Sequence, residues 1–193
     1  LAELRGLYGF RTFSGRGASE LKEWLFREAE MAVSNEDIAR RFVAECRRTR
    51  TVLPATSTIE RLCAAALVDA ERRIETRIAS RLPMSIREQL LALLEETADD
   101  RVTRFVWLRQ FEPGSNSSSA NRLLDRLEYL QRIDLPEDLL AGVPAHRVTR
   151  LRRQGERYYA DGMRDLPEDR RLAILAVCVS EWQAMLADAV VET

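Results

Sequence analysis

Apolar residues in this chain recur every three or four positions almost from end to end, and no other feature constrains the fold as strongly. That spacing gathers apolar side chains on one face of a helix, whereas a half-buried strand would alternate with period two. Convincing alternation is missing. The clearest stretch opens at Ser57-Thr58-Ile59-Glu60, which reads as a capping box in which Ser57 and Glu60 each satisfy a free backbone amide. Ile59, Leu62, Cys63, Ala66, Leu67, Ala70, Ile74 and Ile78 then form one stripe. At the usual helical rise this is a rod of about 35 Å, until Pro83 stops it.

The same pattern predicts further helices. Ser19 is expected to cap one with Leu21, Trp24, Leu25, Ala29 and Ala32 inside, and Asn35 one with Ile38, Phe42, Val43 and Cys46. Ser85-Ile86-Arg87-Glu88 reads as a second capping box. Val102 to Phe111 suits a short buried helix better than a strand. Leu135-Pro136-Glu137-Asp138 and Leu166-Pro167-Glu168-Asp169 are two near-identical helix starts, with Pro at the first position and acids in the first turn. Apolar residues nearly encircle the last helix, which makes it central or places it against further chain. The expected fold is all-α, a multi-helix bundle. Pro113 to Ser119 contributes nothing to a core and reads as a linker, so the predicted organisation is two lobes, residues 1–112 and 120–193, joined by 113–119.

Composition bounds the function classes. With 46% hydrophobic and 32% charged residues, 193 residues suffice for a core. The longest apolar run, Leu172 to Val179, is far shorter than the roughly 20 residues of a membrane span, so no membrane partner is expected. Three cysteines without C-x-x-C spacing argue against disulfides, and with one histidine they argue against structural zinc. No signal-peptide pattern opens the chain, and a cytoplasmic location is expected. The ends, Leu1 rather than Met and the apolar Val190-Val191, read as those of a piece of a longer protein.

Catalytic signatures are missing: no Gly-rich phosphate loop, nucleophile elbow or metal-ligand cluster is present. Glu95-Glu96 and Asp99-Asp100 are adjacent acids that diverge on a helix, and His146 lies at a helix start without a nucleophile placed beside it. Charge is more informative. The formal net charge is −1, yet Lys+Arg total 30 and Lys22 is the only lysine, which leaves 29 arginines. Genome composition explains that bias as well as bidentate phosphate or guanine contacts do.

Two arginine-rich stretches stand out. Arg40, Arg41, Arg47, Arg48, Arg50 and Arg61 surround a Pro54-punctuated loop between two helices, a pattern that resembles a helix-turn-helix unit. There the second helix would offer Ser57, Thr58 and Arg61 to base edges. An ordinary helical hairpin explains it too. In Pro144 to Tyr159, five arginines face one acid, Glu156. With Val148 and Leu151 inward, Arg147, Arg150, Gln154 and Arg157 form a row beside Arg153 that could neutralise phosphates, or pair with acids such as Asp161 and Asp165.

A family resemblance favours DNA. Leu7-Tyr8-Gly9-Phe10-Arg11-Thr12-Phe13 resembles the Gly-Tyr-Arg-x-Phe segment of Tn-three-type replicative transposases. Leu53-Pro54-Ala55-Thr56-Ser57-Thr58-Ile59-Glu60-Arg61-Leu62 is similar to that family's Leu-Pro-x-x-Ser/Thr-Thr-Ile/Leu-Glu-Arg-Leu segment and is the most specific of the matches. The stretch through Arg157-Tyr158 and Leu166-Pro167-Glu168-Asp169-Arg170-Arg171 also look like family segments, in the same order. The resemblance implies a bacterial, nucleoid-associated transposase fragment that recognises terminal inverted repeats as double-stranded DNA, and the two arginine-rich stretches supply the DNA-binding candidates, Ser57, Thr58, Arg61, Arg147, Arg150, Arg153 and Arg157. It implies other transposase domains as partners, with homodimerisation open. It also implies a ribonuclease-H-like catalytic domain lying outside this sequence, whose acidic triad would use Mg2+. The fragment itself is expected to bind rather than cut and to hold no cofactor. The near-neutral total charge departs from a free-standing DNA-binding module. A helical interaction module for synapsis, without DNA contact, is the alternative, and an unrelated metal-dependent enzyme is a second.

Overall fold

A computed structural model describes residues 9–95, 102–110 and 117–191, and it is helical throughout, as the spacing requires. Among the described residues there are nine helices: α1 Gly15–Glu28, α2 Asn35–Arg48, α3 Thr56–Arg81, α4 Met84–Ala92, α5 Arg104–Arg109, α6 Ser117–Gln131, α7 Ala145–Arg157, α8 Ala160–Arg164 and α9 Glu168–Val191. The extended pairing found among these residues is one isolated parallel bridge, Arg11 to Thr51.

The chain divides into two compact units, Leu1–Ile74 and Glu75–Thr193, so the boundary lies inside α3. That division falls elsewhere than the polar segment at 113–119. Ser117–Ser119 already belong to α6, and Pro113–Asn116 lie outside the described residues. A helix whose apolar stripe runs on unbroken gives no compositional sign of where one core ends and the next begins.

Several helix starts shift by a residue or more from their expected caps. Ser34, not Asn35, caps α2, its hydroxyl accepting the Asp37 N–H at 3.1 Å. Ser14 rather than Ser19 precedes α1, and Pro83 rather than Ser85 precedes α4. The start expected at Pro136 forms only turns through Gly142, whereas that at Pro167 leads into α9.

In the first unit, α1, α2 and α3 bury one continuous cluster. Leu21, Leu25 and Ala29 from α1 and its end meet Ile38, Phe42 and Cys46 from α2 and Ile59, Cys63, Ala66 and Ala70 from α3. Phe13 closes the cluster, its ring edge-on to Phe42 at 6.0 Å. Burial pushes the Cys46 thiol up to about 11 and also raises Cys63, so both behave as small core hydrophobes.

In the second unit α9 is the central helix, packed against α7, α6 and α4. Its residues Leu172 through Val179 are all buried, which is why the sequence shows apolar residues on every side of it. Gly155 on α7 lets α9 approach so closely that a Cβ there would stand 2.2 Å from Cys178 Sγ and 3.1 Å from Ile174 Cγ2. The segment expected to be a short buried helix is α5, which seats Phe105 and Leu108 in the core, Phe105 against Trp182 at 5.5 Å.

Candidate nucleic-acid interface

The connection between α2 and α3 is built by hydrogen bonds within the first unit. Thr51 N–H donates to Cys46 O at 2.7 Å, and the Thr49 hydroxyl donates to Glu45 O at 2.9 Å, which folds the chain back at the end of α2. The segment at Arg11 then lies alongside: Arg11 N–H donates to Arg50 O and Val52 N–H to Arg11 O, each at 2.8 Å. Arg50 adopts a left-handed conformation with φ 51°, which an L side chain rarely takes outside turns.

Of the arginines around this connection, half are neutralised. Arg48 forks onto Glu45 with 2.6 and 2.7 Å contacts, Arg41 reaches Asp37 at 3.2 Å and Glu28 at 3.3 Å, and Arg40 lies 3.7 Å from Asp37. The Arg41 hydrogen bond holds the Asp37 carboxyl below the usual carboxylate range, and the Arg48 hydrogen bond does the same for Glu45. Arg47, Arg50 and Arg61 are exposed and carry no ion pair among the described residues.

The first turn of α3 differs from its expected capping box. The helix starts at Thr56, and Ala55 O accepts from Thr58 N–H at 2.8 Å and Ile59 N–H at 3.1 Å. Ser57 is thus already inside the helix, too late in the chain to cap it. Its side chain is exposed, Thr58 is half-buried and Arg61 is exposed one turn on. All three therefore belong to the accessible start of one helix, though Thr58 only partly.

The α7 row needs one correction. Arg147 is 3% exposed and shares the inward face with Leu151 and Gly155, each one helical turn from the next. The apolar Val148 had suggested a rotation that the helix does not adopt; the Gly155 contact with α9 sets it instead. Arg150, Arg153 and Arg157 are exposed, at positions that share a face by their spacing of three and four. Gln154 is half-buried, 3.4 Å from Arg170. Arg152 pairs with Glu156, the one acid of this stretch, at 2.6 Å.

Many of the other arginines serve the backbone. Arg81 Nη1 donates to the carbonyls of Asp138, Leu139 and Ala141 at 3.0, 2.9 and 2.8 Å, satisfying a turn that could not continue as helix. Arg109 Nη1 donates to Glu156 O at 3.1 Å and Tyr158 O at 2.8 Å, at the end of α7. Arg87 bonds the carbonyls of Ala79 and Leu82, Arg164 that of Leu94, and Arg171 that of Arg164. Such guanidinium groups fill the acceptors that helix ends leave open. They give several of the 29 arginines a structural task inside the helical scaffold.

One constellation had no sequence signal. The Arg104 and Arg126 guanidiniums each lie 5.3 Å from the Trp107 ring centre, Arg104 also 5.7 Å from Tyr129, and Trp107 meets Tyr129 edge-on at 5.9 Å. These residues come from α5 and α6, and no spacing rule pairs them. Elsewhere, the described residues hold no group of three or more His, Cys, Asp or Glu able to bind a metal, and no described helix is long and apolar enough to cross a membrane. The acids at Glu96, Asp99 and Asp100 lie outside the described residues.

An all-helical chain with an arginine-flanked turn defines a broad class, and comparison with known proteins narrows it. A family model described as a domain of unknown function, DUF4158, matches residues 1–66. The transposase for transposon Tn21 of Escherichia coli is 28% identical over 192 residues, which cover 100% of this chain and 19% of the relative. The transposase for transposon Tn501 of Pseudomonas aeruginosa is 30% identical over 179 residues, 91% of this chain and 18% of the relative. That for transposon Tn1546 of Enterococcus faecium is 26% identical over 194 residues, 97% and 19%. These homologues are Tn-three-type transposases, and this chain is homologous to their N-terminal region. It spans about a fifth of the length of the relatives it matches.

Proposed function

We propose that this chain is a DNA-binding portion of a transposase, recognising the terminal inverted repeats of a transposon. One observation carries the reading: at the turn leading into α3, Arg47, Arg50 and Arg61 stay exposed with no ion pair among the described residues, while their neighbours Arg40, Arg41 and Arg48 are paired. Free guanidiniums beside the exposed start of a helix suit a helix-turn-helix mode, in which that first turn meets base edges. Ser57, Thr58 and Arg61 are the base-reading candidates, and Arg150, Arg153 and Arg157 the phosphate-binding ones. The whole protein would pair transposon ends and cut and join DNA through a Mg2+-dependent catalytic domain, with this portion contacting other transposase domains.

The test is selection of preferred duplexes from a randomised pool, followed by binding of the selected and scrambled duplexes across a salt series. Arg61→Ala is expected to relax sequence preference by about 1–3 kcal/mol, the value of one bidentate base contact. Replacing Arg150, Arg153 and Arg157 together by Gln should leave that preference intact and flatten the salt dependence by about 0.9 in log–log slope for each phosphate no longer neutralised. Failure to enrich any duplex, with no binding at low salt, would reject the reading and leave the helical interaction module.

A further inference from the structure

We propose that residues 9–12 and the turn at 49–52 together form a clamp for the phosphodiester backbone of duplex DNA, with Arg11, Arg47 and Arg50 as its cations. The proposal rests on the DNA-binding reading and deepens it, giving Arg47 and Arg50, which border the α3 start, a defined task together with Arg11. The two segments are tied by the paired hydrogen bonds between Arg11 and residues 50 and 52. Arg47 joins them from the last turn of α2, its carbonyl accepting the Arg50 N–H at 3.1 Å. Three cations are thereby anchored to one small piece of backbone.

Their side chains are placed for an external anion. All three residues are exposed, and none has an ion pair among the described residues, because Glu45, the acid of that turn, is held in a two-pronged contact by Arg48. The Arg50 guanidinium runs back along the neighbouring segment, its Nη1 standing 3.8 Å from where a Cβ on Gly9 would be. Phe10 and Leu53, 46% and 41% exposed, flank the bridge and give the cationic surface an apolar border.

Arg50 supplies the second line of support. A left-handed residue is cheapest as glycine, and an arginine there is conformationally costly without helping the core. Its long side chain makes no ion pair among the described residues that would offset the cost. A role for the guanidinium outside the fold accounts for its presence. Phosphate is the matching chemistry, since it accepts from several guanidiniums at once and needs no base sequence.

The experiment uses the full chain and a scrambled-sequence duplex, with binding measured by fluorescence anisotropy across a salt series, and thermal unfolding measured on the same samples. Arg50→Gly keeps the backbone conformation and removes the cation, so Tm should hold or rise while binding weakens. Combining Arg50→Gly with Arg11→Gln and Arg47→Gln should flatten the log–log salt slope by roughly 2–3, about 0.9 per phosphate. The ratio of selected to scrambled duplex binding should stay unchanged. A wild-type slope in the triple variant overturns the clamp, as does a fall in Tm for Arg50→Gly with unaltered binding. If Arg61→Ala still relaxes sequence preference in the same assays, the DNA reading survives and the clamp alone falls. If the wild-type chain binds neither duplex, both fall.

Discussion

Phe42→Ala is expected to destabilise the first unit by about 3–5 kcal/mol, the range for truncating a fully buried aromatic ring. The Phe42 side chain is fully buried. It sits on the inner face of α2 with Ile38 and Cys46, and its ring receives Phe13 edge-on. Truncation removes the transfer free energy of the ring, the aromatic pair and the dispersion attraction of the cavity lining together. The cluster around it also holds Ala29, Ala32, Cys63, Ala66 and Ala70, short side chains that can move little into the space. Urea unfolding measures the loss, with Leu53→Ala as the exposed control expected within about 0.5 kcal/mol of the parent. A loss below about 1 kcal/mol for Phe42→Ala would mean that the three helices do not close around this ring.

Gly155→Ala is expected to destabilise the second unit by about 1–3 kcal/mol, against the usual sign for such a change. In an exposed helix interior, glycine to alanine gains about 1 kcal/mol, because glycine loses more backbone freedom on folding. Here the added methyl would stand 2.2 Å from Cys178 Sγ, inside any tolerable contact, with Ile174 behind it. The cysteine cannot swing into solvent: it is 1% exposed, on the central stretch of α9. Burial pushes its thiol up to about 12, which keeps it neutral and inert. Cys178→Ala removes the obstructing sulfur, so the double variant should be less destabilised than the sum of the singles. A denaturant-based double-mutant cycle reads that coupling. Additive losses would show that α7 and α9 adjust elsewhere.

Much of the helical architecture was legible in the sequence, because a stripe repeated every three or four residues admits few other folds. The stripe of α3 and the encircled apolar stretch of α9 are where the periodicity is strongest, and the helices lie there. Caps were legible only to within a residue or so. Ser34 and Asn35 are both good capping residues, and the choice between them depends on which side chain meets the Asp37 amide. The unit boundary was hidden by a helix that serves two cores without a change in composition.

The candidate site was less legible, and the difficulty lies with arginine. Spacing places Arg150, Arg153 and Arg157 outward, yet it assigned Arg147 to the same surface, since a charged residue is rarely fully buried. What turns Arg147 inward is the fit of Gly155 against α9, a contact between residues distant in the chain. The carbonyl ties of Arg81 span 57 to 60 positions, and nothing local announces them. Likewise, whether Arg48 or Arg47 is free depends on which one Glu45 holds. Composition counts both equally.

The guanidinium groups that bridge helix ends to distant carbonyls have a consequence for conservative substitution. A guanidinium presents its N–H donors in a fixed planar fork, whereas a lysine ammonium is a compact charge on a flexible stem. Lysine in place of Arg81, Arg109 or Arg171 would keep the positive charge and lose the fork that reaches those carbonyls. At the joints between these helices, exchanging one cation for the other is therefore a structural change rather than a neutral one.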